Sequence, residues 1–217
     1  MRNIIFPLLL LTVSHILCAQ TEQKDSLNLV NKKDSAEKAR MDSLKFERLF
    51  STALYPLIKN SKWSGVIPVA NIEENPDPSM KYKLVMEVTG WNKDSASHKE
   101  INWALAEVGR VINLHIAAGI PKENLNSVLV IHGAALNAVL NDEAYRKKFK
   151  TDNPNLALLK QFDSLGIKLI VCGQAMAFFG FKKEELIPEV RTAISAKVAL
   201  STYQLKGYVL YEMKDEN

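Results

Sequence analysis

Two residues in this sequence are placed to do chemistry together, Cys172 and His132. Cys172 follows the apolar run Ile167-Lys168-Leu169-Ile170-Val171. It precedes Gly173, which lets the backbone turn, and the helical start Gln174-Ala175-Met176-Ala177. A thiol between a strand end and a helix start lies beside backbone N–H groups that lack intrahelical partners. Such donors favour the thiolate, the nucleophilic form. His132-Gly133 closes a second apolar run, Ser127 to Ile131. If the two strands are neighbours, imidazole and thiol share one rim, and the histidine can take the thiol proton or stabilise the thiolate. Both residues also admit a plainer role. A free cysteine is among the most buried residue types and often only fills space, and a strand-end imidazole can simply bond backbone. His115, near the apolar face of a helix, reads as a core or semi-buried residue, and His98 as a loop residue.

Other chemistries lack a motif. The chain has no G-x-G-x-x-G and no G-x-x-x-x-G-K-[ST], so nucleotide binding has no sequence handle. No G-x-S-x-G provides a hydrolase elbow. No C-x-x-C permits a dithiol cycle within one chain. Isolated histidines and Cys172 do not give metal-ligand spacing, so no metal or cofactor is expected. The net charge of +4 is spread among acids. Lys147 to Lys150 and Lys182-Lys183 read as solvated faces, which argues against a nucleic-acid partner.

The elements that must position the pair alternate along the chain. Lys83 to Val88 is the first strand, closed by Thr89-Gly90. Lys99 to Ala118 is the longest helix, with Ile101, Leu105, Val108, Ile112 and Ile116 on one face. Gly119 and Pro121 end it. Ser127 to Ile131 is apolar on both faces, as a covered parallel strand is. Asn141 caps a helix with acids at its start and bases at its end. Asn153-Pro154 is expected to start the next helix with proline in its first position, and Gly166 to stop it. Ile167 to Val171 is the third strand, Val190 to Ile194 the fourth and Tyr208 to Met213 the last, with a helix over Ala196 to Leu205. This order implies a three-layer α/β/α sandwich around a mostly parallel five-stranded sheet. Ligands in such sheets bind beyond the carboxyl ends of the strands, where His132 and Cys172 fall.

The N-terminal part reads differently. Met1 to Ala19 has the layout of a signal peptide, with Arg2, an apolar core from Ile4 to Val13 and a cleavage region ending at Ala19. Leu17 before Cys18 argues against lipidation there. After removal of this segment no transmembrane stretch is expected, and the mature protein, periplasmic or secreted, keeps a single thiol. Residues 20–54 read as a charged tether that becomes helical near its end. Residues 55–217 form the domain, irregular from Tyr55 to Tyr82, where Pro56, Pro68, Pro76 and Pro78 interrupt helices.

The stretches KLVMEVTG, VLVIHGAALNAVLNDEAY, DNPNLALLKQFDSLGIKLIVCGQAMAFFGF and ALSTYQLKGYVLY resemble, in this order, the DsrE/DsrF-like family of small α/β proteins of sulfur metabolism. The resemblance runs from about Tyr55 to Met213 and is closest to the exported branch. It implies a five-stranded sandwich that forms homo-oligomers. In the sulfur-relay members a cysteine at the place of Cys172 accepts sulfur as a persulfide. The expected function is therefore a single-cysteine sulfur carrier, or sulfurtransferase-like protein, with protein donors or acceptors of sulfur. In that reading Cys172 is the nucleophile and His132 tunes it. Gly133, Asn137, Gly173 and Gln174 line the ligand site, with N–H groups after Gly173 holding the anion and the Gln174 amide bonding the outer sulfur. The alternative is a non-catalytic oligomeric binding module in which Cys172 packs.

Overall fold

Apolar runs bounded by turn residues become five strands in the computed structural model, which describes residues 32, 35, 37, 38, 40–91 and 94–214. The signal segment expected at 1–19 lies outside the described residues. The chain divides into two units between Ser51 and Thr52. In the first, residues 40–50 are helical, within the stretch expected to be a partly helical tether.

The second unit holds the sheet. Its strands are β1 (Tyr82–Val88), β2 (Leu125–Ile131), β3 (Lys168–Cys172), β4 (Val190–Ala193) and β5 (Val209–Met213). They lie in the order β4-β3-β2-β1-β5, and all four pairings are parallel. The helices are α1 (Trp103–Ala117), α2 (Asp142–Phe149), α3 (Leu156–Ser164), α4 (Gly173–Phe179) and α5 (Ala196–Leu205). The expected α/β/α sandwich is the observed one, with a sheet that is parallel throughout.

Alternation along each strand sends side chains to two faces. Leu84, Met86, Val88, Leu129, Ile131, Leu169 and Val171 pack with residues of α1, α2 and α3 into the larger core. Val85, Val128, Val130, Ile170 and Cys172 point the other way and pack under α5, against Ala196, Ala199 and Leu200. One short helix thus covers the face that carries the thiol.

Buried asparagines fix the helix starts. The Asn102 side chain accepts the Leu105 N–H at 3.1 Å, so α1 begins at Trp103 and not at the expected Lys99. The Asn102 N–H donates to Asn155 Oδ1 at 2.7 Å. Asn155 in turn donates its own N–H to Asn153 Oδ1 at 3.0 Å. This chain of bonds holds residues 153–155 in a turn. Helix α3 therefore starts at Leu156, and Pro154 does not occupy its first position as expected. The side chain of Asn113 on α1 is likewise buried; it accepts the Leu57 and Ile58 N–H groups at 3.0 and 2.8 Å and donates to the Ile58 and Ser64 carbonyls. It thereby satisfies a stretch of backbone that no strand or helix satisfies.

Candidate functional site

The site is built where β1, β2 and β3 end. Val130 pairs with Ile170 and Ile131 with Val171. Extending that register by one residue sets His132 opposite Cys172, on strands roughly 4.8 Å apart. His132 is still extended, at φ −153° and ψ −177°, and its N–H donates to the Val88 carbonyl. Its side chain therefore follows the alternation of Val128 and Val130 onto the face covered by α5. Cys172 lies on that same face. The two residues expected to share a rim do share it.

Glu87 completes the row. It sits on β1 two residues after Val85 and points to the same face. Its carboxylate accepts the His132 Nε2–H at 2.8 Å. Both side chains are about three-quarters buried, so the pair is only partly screened by water. A carboxylate on Nε2 favours the tautomer that carries its proton there, which leaves the Nδ1 lone pair as a proton acceptor. Sequence reasoning missed Glu87. A signal existed: it is the one charged residue between Leu84 and Val88, in a strand covered on both faces, and a charge so placed requires a partner.

The backbone turn after β3 is tightly specified. The Cys172 sulfur accepts the Ala175 N–H at 3.4 Å, which makes the thiol the cap of α4. The Gln174 N–H donates to the Ile194 carbonyl at 3.2 Å. A Cβ on Gly173 would lie 2.9 Å from the Ala193 carbonyl oxygen, so only glycine fits without a shift of the β4–α5 connection. Of the N–H groups expected to hold an anion, that of Ala175 faces the sulfur and that of Gln174 is committed to Ile194.

The remaining expected site residues divide. Gly133 adopts φ +60°, a left-handed conformation that favours glycine, with open space around its Cα. It turns the chain from His132 into a 3-10 segment, Gly133–Val139. Asn137 is 8% exposed; its amide donates to the Ala134 carbonyl at 2.8 Å and its oxygen accepts the Lys148 ammonium at 2.7 Å. These bonds commit it to the fold rather than to an open site. Gln174 is exposed on the first turn of α4. Cys172 itself is 6% exposed, beneath Ala193, Ala196 and Ala199. The thiol is covered, not open as the strand-end position suggested. Among the described residues no group of three or more His, Cys, Asp or Glu side chains is placed to hold a metal, and no helix is long and apolar enough to cross a membrane.

Comparison with solved structures finds similar chains at low identity. One is a protein of unknown function, MTH1491, from Methanobacterium thermoautotrophicum, with a TM-score of 0.44 and 15% identity over 60% of this chain and 98% of that one. Another is the ychN protein from E. coli, with a TM-score of 0.41 and 19% identity over 62% of this chain and 99% of that one. The comparison with curated proteins gave no match. The profile of the DsrE/DsrF-like family matches residues 96–211, a span that holds β2 to β4, His132 and Cys172. With more than half of its length matched, and with the five-stranded parallel sheet that places both residues at one rim, the chain belongs to the DsrE/DsrF-like family.

Proposed function

We propose that this protein is a single-cysteine persulfide carrier, or a sulfurtransferase-like protein, exported to the bacterial envelope and acting as a homo-oligomer. The observation that carries the reading is the row at the strand ends: the Glu87 carboxylate on His132 Nε2 at 2.8 Å, with Cys172 in register beside the imidazole and its sulfur receiving the Ala175 N–H. In this reading His132 Nδ1 takes the thiol proton, and Glu87 stabilises the imidazolium that results. The thiolate attacks the outer sulfur of a donor persulfide, R–S–SH. A Cys172 sulfur–sulfur bond forms, the donor sulfur–sulfur bond breaks, and R–S⁻ leaves with the electron pair. Delivery runs the other way: an acceptor thiolate takes the outer sulfur, and Cys172 leaves as thiolate and recovers its proton from His132. No external oxidant is needed, because the sulfane sulfur only changes partner.

The burial of Cys172 favours a competing reading, an oligomeric binding module in which the thiol packs under α5. Intact mass separates the two. A chain purified without reductant and incubated with a polysulfide should gain the mass of one sulfur. Cys172→Ser should gain none, and reductant should reverse the change. Wild type that gains no sulfur would leave the binding module as the better reading. The mass of protein from the native host also reports whether the chain begins near Gln20.

A further inference from the structure

We propose a second binding site, independent of the thiol rim, in the groove between α2 and the Phe179–Phe181 turn: it takes a small carboxylate with an aromatic body, held at its charge by Lys148 and Lys147. The groove has a volume of about 340 Å³ and is lined by Leu140, Ala144, Lys147, Lys148, Phe179 to Phe181 and Glu185. That volume suits a single-ring ligand.

The lysine is held for this role. Lys148 Nζ lies 4.9 Å from the centroid of Phe181 and 5.6 Å from that of Phe149. One of its three N–H groups goes to Asn137 Oδ1 at 2.7 Å, and Asn137 is itself pinned by the Ala134 carbonyl. An ammonium carries three donors, so two remain for a ligand. Lys147 has no hydrogen-bond or ion-pair partner for its ammonium among the described residues. The one acid in the lining, Glu185, uses Oε2 to accept the Lys182 N–H at 2.9 Å. Positive charge thus exceeds negative in the groove. Lys148 is exposed as a residue, and partial desolvation of its ammonium pulls its pKa below the ordinary lysine value, with Glu185 opposing. Glu185 makes no direct ion pair with the ammonium, and a partly desolvated cation gains from an incoming carboxylate that does. Phe179, about half exposed, and Phe181 offer the ring faces against which an aromatic body stacks.

Titration of the full chain with phenylacetate, followed by calorimetry or by amide shifts of Phe179 to Phe181, tests this. We expect saturable binding with a dissociation constant on the order of 1 mM or below. Benzyl alcohol, which keeps the ring, and acetate, which keeps the charge, should each bind about tenfold more weakly. Lys148→Met keeps the apolar stem and should weaken phenylacetate by about tenfold; loss of the Asn137 bond lowers its thermal midpoint, so the titration is run at a temperature where circular dichroism shows the variant folded. Cys172→Ser should bind as wild type does, which separates this site from the thiol rim. Absence of saturation to about 10 mM, equal binding of benzyl alcohol, or full affinity in Lys148→Met would overturn the proposal. A preference for peptides ending in a free carboxylate over phenylacetate would also overturn it, as evidence of a protein-docking groove.

Discussion

At the residue scale, the consequential contact is the one between Glu87 and His132. A neutral imidazole needs a fixed tautomer to act as a base, and a partly buried carboxylate on one nitrogen supplies it. Replacing Glu87 by Gln keeps an oxygen able to accept the same hydrogen bond but removes the charge that stabilises the imidazolium. The effect of a charged over a neutral acceptor is of the order of 1.4 kcal/mol. Glu87→Gln should therefore slow iodoacetamide modification of Cys172 near neutral pH by about tenfold, with His132→Ala at least as slow. An unchanged rate and pH profile in both variants would leave Cys172 as a possible nucleophile but remove its partner.

The element placed next to the thiol turn is the β4–α5 connection. It passes over the turn where β3 becomes α4, and the Gln174 N–H ties it down through the Ile194 carbonyl. Gly173 is the close approach that allows this. In Gly173→Ala the new Cβ would meet the Ala193 carbonyl oxygen at 2.9 Å. A backbone oxygen cannot rotate away, so the connection must shift as a unit. The expected result is a loss of about 1–3 kcal/mol in denaturant unfolding, together with faster modification of the less covered thiol. Unchanged stability and unchanged rate would show that this connection does not control access to Cys172.

At the scale of the whole molecule, some of the exposed large apolar residues lie on or beside the elements that cover the thiol. Phe178 is 84% exposed, Ile194 69% and Val198 52%. Large apolar side chains left in water on a small domain are candidates for association. Static light scattering of the chain lacking residues 1–19 at micromolar concentration should therefore give a mass at least twice that of one chain, and a clean monomer would defeat the homo-oligomer part of the proposal. The fold itself was legible because its signals are local. Apolar runs bounded by turn residues marked the strands, and Asn141, Gly119 and Gly166 marked helix ends. What the sequence concealed depends on residues far apart in the chain. Pro154 was displaced from the start of α3 by bonds that reach Asn102. Glu87 finds His132 across 45 positions. The burial of Cys172 comes from Ala196 and Ala199 in a later helix, and a strand-end position alone cannot reveal a lid contributed more than twenty residues downstream.

The central claim is that Cys172 is a working thiol despite its cover. The most direct measurement is its iodoacetamide modification rate in the folded protein, compared across pH with the rate of global unfolding under the same conditions. The account predicts modification slower than that of a free cysteine but faster than unfolding, rising with pH and reduced in His132→Ala. Modification that tracks unfolding in wild type and His132→Ala alike would contradict it and make Cys172 a packing residue.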